Sequence, residues 1–529
     1  MNNPTTLLHG RVFTRTGEDA SCVVVSGDRI HAVGGDELLE RYRDSARVVD
    51  VPGLILPGFV DAHTHVWHSA GGGIGAADCR VPGVRSIADV QRVLREHAAK
   101  TDGPIVGYGN LFYDRKLEDR RLPNRQDLDE VSLERPVILR CGGHISVLNS
   151  VALAQIDSAD IAGHTGAAIV FRDADGTPTG SVAEIDAALE LPAYDDLVRQ
   201  EALARALREE YLAHGVTTVG EICESLTGLE AIREVVESGR VDIAVRGYLL
   251  VSPDTSIDEA AAVCRKHADP AAEFSLDGIK IFADGGYSAR NAAVSTPYLD
   301  TTPEHAHGHL ALDREQLGTL LTRIRDEGLA AAVHVNGDVA QQLLLEAVPA
   351  RARVRAEHAG NLVTRWDTIS GLIKKNVFLV INPGFLHSYI GDEFPRLFGP
   401  GVRSGRMPVR SLLQRGARIA AGADAGLGGE RDQSRPLSTV WNLVARPTWS
   451  GGIAEAAEAI DVDAALRIVT SASAEALGIG DQVGTIEAGK FADLVVLDRD
   501  PRQVPVDEIP AIGVTRVIRR GRLVHGEDW

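Results

Sequence analysis

The sequence predicts an α/β protein. Its fold class is a (β/α)8 TIM barrel with a small β-sandwich domain built from both termini and an α/β insertion after strand 1. Three observations carry this. Eight short apolar runs alternate with segments of helical periodicity through the middle of the chain. Short β-like runs divided by turn residues occupy both ends. The first two barrel runs are separated by residues from about 70 to 200, far more chain than a connection needs.

The elements follow in order. Residues 6–55 hold LLHGRVFT, SCVVVSGDRIHAVG and ARVVDVPG, with Gly27-Asp28 as a hairpin turn. The far end holds GTIEAGKFADLVVLDRDP and VTRVIRRGRLVHG, with a turn at Arg520-Gly521-Arg522. Residues 1–55 plus 480–529 are therefore expected to form the sandwich, and 56–479 the barrel. The barrel runs are GLILPGFVDAH (53–63), VTTVGEI (216–222), VDIAVRGYLLV (241–251), DGIKIFAD (277–284), LAAAVHV (329–335), RVRAEH (353–358), VFLVINP (377–383) and ARIAAGAD (417–424). Between them EALARALREEYLAHG, stopped by Gly215, DREQLGTLLTRIRDEG and VTRWDTISGLIKK have helical spacing. The insertion opens on SAGGGIGAA, contains PIVGYGNLF and RPVILRCGG, and is expected to be a lid over the exit of the first strand.

The bulk properties exclude several classes. With 529 residues, 44% hydrophobic and 24% charged, the chain has an ample core. A formal charge of −19 argues against a nucleic-acid or anionic-membrane partner. The five cysteines, Cys22, Cys79, Cys141, Cys223 and Cys264, show no C-x-x-C spacing, so neither a disulfide framework nor a thiolate zinc site is expected. No signal peptide and no run of about 18 apolar residues is evident, and a cytoplasmic location is expected.

Reactive groups of such barrels belong at the carboxyl ends of the strands. The first exit carries Asp61, His63 and His65, the fourth Lys280, the fifth His334, the sixth His358 and the eighth Asp424. Residues two apart on a strand share a face, so His63 and His65 can grip one cation together. Imidazole with carboxylate suits zinc and related divalent ions. His68 falls beyond the strand. Each residue has an ordinary alternative: His334 as a core or surface histidine, Lys280 paired with Asp284, Asp424 as a turn residue or helix cap. It is their succession at strand exits that points to a metal site.

PGFVDAHTH, GIKIFADGG, HVNGD, RAEHA and AAGADAG, in that order, resemble the metal-dependent amidohydrolase superfamily. GTIEAGKFADLVVLD resembles its return into the β-sandwich. RCGGHISVLNSVAL (140–153), DGTPTGSVAE (175–184) and DGGYSARNAAVS (284–295) resemble the narrower amidohydrolase 3 family, which includes N-substituted formamide deformylases. The resemblance implies that His63, His65 and Asp424 hold the more buried ion and that His334 and His358 hold a second. Lys280 matches a lysine that takes up CO2 as a carbamate and bridges the two. Without that modification, one ion held by His63, His65, His334 and Asp424 is the fallback. The cofactor expected is thus a divalent metal, zinc first, as one or two ions per chain. Asn382 stands where a glutamine is expected, and a proline close behind Asp424 is absent.

The expected chemistry is metal-assisted hydrolysis of a carbon–nitrogen bond in a small molecule. Asp424 moves the proton, and His144 polarises the carbonyl beside the metal. His144 has a second reading, in which it fixes the insertion through Asn149. Arg290 has two of equal standing, a substrate carboxylate or a loop carbonyl. Asn382 and Trp67 complete the candidate substrate contacts. A cyclic amide, a carbamate, an ester or an aromatic amine are alternative substrates on the same fold, and a metal-binding sensor without turnover is a distant one. A glycosidase barrel would show paired acids at its exits, not imidazoles. A homodimer is compatible with a barrel of this kind.

Overall fold

The computed structural model describes residues 5–527 except 17–18, 143–144, 157–168, 184, 186–188, 190–194, 253–254, 400–401, 403, 427–428 and 431. Four strands come first: β1 (Thr5–Phe13), β2 (Asp19–Ser26), β3 (Arg29–Gly34) and β4 (Arg47–Pro57). The first barrel strand is β5 (Phe59–Thr64). The insertion supplies β6 (Ala76–Asp78), β7 (Ile105–Gly109), β8 (Val137–Cys141), β9 (Ile145–Leu148), β10 (Ile169–Arg172) and β11 (Pro178–Ala183). The barrel resumes with β12 (Val216–Cys223), β13 (Ala244–Leu250), β14 (Phe274–Phe282), β15 (Ala330–His334), β16 (Arg353–Glu357), β17 (Phe378–Ile381) and β18 (Arg418–Ala421). The chain ends with β19 (Leu494–Leu497), β20 (Val514–Arg519) and β21 (Arg522–Gly526).

Every expected barrel run forms a strand. β5 and β12 to β18 pair in parallel in chain order. The ring closes just past the ends of β18 and β5: Asp424 N–H donates to His63 O at 2.8 Å and His65 N–H to Ala425 O at 3.0 Å. Gly422 permits that closure, because a Cβ there would lie 2.4 Å from the His63 Cβ. Strands covered on both faces read as continuous apolar runs, which is why they were visible in the sequence.

The terminal strands pair without interruption in the order β21-β20-β19-β4-β1-β2-β3. The expected sandwich is therefore one mixed sheet. It curls until the β2–β3 turn meets the segment before β19, with Ile30 N–H donating to Lys490 O and Ala492 N–H to Asp28 O. Two strands serve two cores by alternation. Leu54 and Leu56 of β4 and Val495 and Leu497 of β19 join the barrel's core. Ile55, Leu494 and Val496 face the sheet's own core. The triplet Leu54-Ile55-Leu56, expected to lead into the first barrel strand, thus belongs to the terminal sheet. The chain changes sheet at Gly58, where a Cβ would sit 2.3 Å from Thr217 Oγ1.

The insertion forms a sheet of its own, ordered β10-β11-β9-β8-β7-β6, with a separate core of residues such as Val90, Leu94, Leu139 and Val147. It reaches the rim where the barrel strands exit. Phe112 stacks on Tyr389 with centroids 4.8 Å apart, Asn110 Nδ2 donates to Glu430 at 3.2 Å, and buried Lys116 pairs with Glu430 and donates to Ser388 at 2.9 Å. The five cysteines are buried and unbridged. Among the described residues no helix is long and apolar enough to cross a membrane.

Candidate metal centre

Strand polarity gathers the predicted groups at one end of the barrel. The ligand atoms of His63, His358 and Asp424 lie within 4.8 Å of one another. His63 Nε2 is 3.4 Å and His65 Nε2 3.1 Å from Asp424 Oδ1. The His334 ring stands 4.6 Å from that of His358. Lys280, fully buried on β14, holds its Nζ 5.0 Å from the Phe282 ring, which in turn lies 4.6 Å from His334. His358 (φ 70°) and Asp424 (φ 49°) both adopt the left-handed backbone region, uncommon for residues other than glycine though His and Asp enter it more readily than most.

Partners set which nitrogen faces inward. His63 Nδ1 is 2.5 Å from Glu357 Oε2. Burial raises the pKa of Glu357, but Arg355 and His63 outweigh it and hold the carboxyl well below its usual range. Glu357 therefore only accepts and His63 Nδ1 donates to it, which leaves Nε2 turned toward Asp424. That Nε2 is buried, has no hydrogen-bond partner among the described residues, and faces the Asp424 carboxylate. An imidazole nitrogen and a carboxylate that face each other at 3.4 Å without a hydrogen bond are both ligand atoms of the kind a divalent metal takes, so the donor set fits such an ion. On the far side, His358 Nδ1 donates to Asn382 Oδ1 at 2.7 Å, while His334 Nε2 lies 3.2 Å from Gly285 O and 3.0 Å from Asn336 Nδ2.

The charges follow from these contacts. Burial opposes ionisation of Asp424, yet His63 and His65 hold it well below the carboxylate range. Burial would lower His65, but the carboxylates of Asp424 and Glu224 lift it to about 10. Burial lowers His358 to about 3, with Asp424 opposing and His63 assisting. Burial also lowers the Lys280 ammonium against the pull of Glu357 and Asp424. Asp61 is raised by burial to about 7 despite accepting from His63 N–H at 3.1 Å and Ala423 N–H at 3.0 Å, a staple between the first strand and the eighth.

The other candidates are placed differently. Asn382 is fully buried and engaged on every side: it accepts from His358 and from Asn361 Nδ2 at 2.9 Å, and donates to Gly422 O at 3.2 Å. It is set to orient His358, not to line a binding surface. Arg290 is bound by Asp300 at 2.6 Å and by Ser288 O at 2.5 Å, so the loop-carbonyl alternative is the one seen. Trp67 is half-buried and packs on Gly228 at the edge of the barrel's apolar core. His144 lies outside the described residues. Asn149, its expected partner, already accepts from Val137 and Ala152 and donates to Ser132 and Arg135.

Three supporting groups escaped the sequence reading. Glu357 and Arg355 alternate in RVRAEH and point into the barrel, paired at 2.8 Å; charged residues at both inward positions of a buried strand were the available signal. Glu224, two residues past the second apolar run, lies 2.9 Å from His65 Nδ1 and 2.5 Å from His68 Nε2.

A model described as the amidohydrolase family matches residues 47–525. The chain belongs to the amidohydrolase family. It is 28% identical over 533 aligned residues to an N-substituted formamide deformylase of Arthrobacter pascens, covering 95% of this chain and 94% of that one. It is 24% identical to the putative amidohydrolase YtcJ of Bacillus subtilis over 98% of each. The fold superposes on an uncharacterized metal-dependent hydrolase from Pyrococcus horikoshii OT3 with a TM-score of 0.74, at 23% identity, over 95% of this chain and 99% of that one. This amidohydrolase is accordingly a hydrolase acting on carbon–nitrogen bonds other than peptide bonds.

Proposed function

We propose that this amidohydrolase cleaves the carbon–nitrogen bond of a small formamide or other amide with the help of zinc or a similar divalent ion. The observation that carries the reading is the buried, unpartnered Nε2 of His63 turned toward the Asp424 carboxylate. His63, His65 and Asp424 would hold one ion, and His334 and His358 a second. Lys280 would join them as a CO2-derived carbamate; its lowered ammonium pKa favours the neutral amine that reacts with CO2. When bound, the metal supplies Lewis-acid polarisation and lowers the pKa of water to about 7.

The chain's own groups do the rest. Asp424 is ionised at neutral pH and accepts the proton of the attacking water as its oxygen bonds to the carbonyl carbon. It returns that proton to nitrogen as the carbon–nitrogen bond breaks. Glu357 and Glu224 keep His63 and His65 in their ligand orientation, and Asn382 does the same for His358. The insertion, bolted to the rim through Lys116 and Glu430, is placed to limit water over the mouth.

The test is chelation followed by reconstitution with Zn2+, Co2+ or Mn2+, and assay against formamides, linear amides, lactams, carbamates, esters and aromatic amines. Metal-dependent release of amine from a formamide or amide is expected. Turnover confined to esters or aromatic amines, or indifferent to chelation, would reject the proposal.

A further inference from the structure

Asp424 must be aimed as well as charged. The chain leaves β18 after Ala421, and at Asp424 its backbone stands in the left-handed region (φ 49°), where side chains take over from the strand ladder. The first barrel strand holds one side of this turn: Asp61 accepts from Ala423 N–H at 3.0 Å and His63 O from Asp424 N–H at 2.8 Å. Gln433 holds the carbonyls. Its Nε2 donates to Ala423 O at 2.6 Å and to Asp424 O at 3.3 Å, and the residue is 6% exposed. Its Oε1 accepts from Glu430 N–H at 2.9 Å. It lies so near Gly429 that a Cβ there would come within 2.6 Å of that oxygen.

The insertion grips the two residues that hold Gln433. Arg80 Nη1 donates to Gly429 O at 3.3 Å, Asn110 Nδ2 donates to the Glu430 carboxylate at 3.2 Å, and Lys116 pairs with the same carboxylate. The Lys116 side chain is buried, with its Nζ 5.0 Å from the Trp449 ring. Taking an ion pair out of water is costly, and an apolar contact would join insertion to rim at least as firmly. What the pair adds is direction, because it fixes where Glu430 stands. A continuous chain of polar contacts therefore runs from the insertion through Glu430 and Gln433 to the carbonyl of Asp424.

We propose that Gln433 is a positioning residue for Asp424, and that the insertion sets Gln433 through Lys116 and Glu430. Seating of the insertion and aiming of the proton carrier are then one event. The inference rests on the reading of Asp424 as metal ligand and proton carrier, and adds the residues that orient it.

The test uses Gln433→Met, which keeps the volume and removes both hydrogen-bonding ends, and Lys116→Met, which breaks the contact from the insertion's side. In Co2+-loaded protein Gln433→Met should shift the visible d–d absorption and weaken Co2+ binding by about 10-fold in a competition titration. On a hydrolysed amide its kcat should fall by about 10-fold or more, with KM changed by less than about twofold. Lys116→Met should lower kcat by about threefold or more, and the double variant should lose little beyond Gln433→Met alone. If Gln433→Met leaves either the spectrum or kcat as in the wild type, the positioning role is overturned; losses that multiply in the double variant overturn the link to the insertion. Failure of the amide reading looks different: the wild type hydrolyses no amide, or Asp424→Asn turns over undiminished, and positioning is then judged on the Co2+ spectrum and affinity alone. A wild type that binds no Co2+ rejects the metal reading, and hydrogen exchange decides the rest: faster exchange over residues 420–426 in both variants sustains the chain of contacts, and exchange as in the wild type rejects it.

Discussion

The end of β4, Leu54 to Pro57, and strand β16 are both buried on two faces, and they solve that problem in opposite ways. β4 alternates Leu54, Ile55 and Leu56 between two apolar cores. β16 turns Val354 and Ala356 to the apolar layer and Arg355 and Glu357 to the barrel interior. A buried ion pair is seldom the most stable filling for a core, and apolar residues of equal volume often do better. Its presence on β16 follows from its position: Glu357 touches His63, and Arg355 also donates to Ala62 O at 2.7 Å on the same strand as that histidine. The difference teaches where the molecule places stability alone and where it gives some up to orient a ligand.

Substitutions at four positions probe that contrast. Asp424→Asn removes the proton carrier and should lower kcat by about 10³-fold or more while zinc content, read by elemental analysis, stays largely intact. Undiminished turnover would remove Asp424 from that role. Glu357→Ala leaves Arg355 charged and unpaired inside the barrel, and should cost about 3–5 kcal/mol in denaturant unfolding. The pKa of Glu357 is depressed in the folded protein, so its contribution is present above its unfolded value near 4.5 and lost as pH falls toward the depressed one. Glu357→Gln should therefore flatten the acid side of the stability profile.

Leu56→Ala on β4 opens a void between sheet and barrel and should cost about 2–5 kcal/mol with kcat/KM preserved. A comparable loss of activity would mean that the terminal sheet positions the site as β16 does. Asn382→Ala is the mildest of the four: it frees His358 and should weaken metal binding by about 10–100-fold in a competition titration, with little change in unfolding. Unaltered affinity would show that the ring is held by packing alone.

The barrel was legible because parallel strands covered on both faces leave unbroken apolar runs, and the candidate ligands because they fall at strand ends where the chain turns. His63, His65, His334, His358 and Asp424 could be picked out from such local cues. Glu224 and Glu357 could not, since neither matters until another strand brings an imidazole to it. Asn382 was read as a substrate contact for the same reason: its partners, His358 and Asn361, come from the loop after β16.

The order of strands and the kinds of side chain at their exits were thus determined by the sequence alone, through periodicities that act over a few residues. Tertiary structure decided the approach of His63 to Asp424, the orientation that Glu357 imposes on the His63 ring, and the seating of the insertion on the barrel rim. Those depend on ring closure, which brings residues 63–65 against 424–425 through backbone hydrogen bonds that no local pattern encodes.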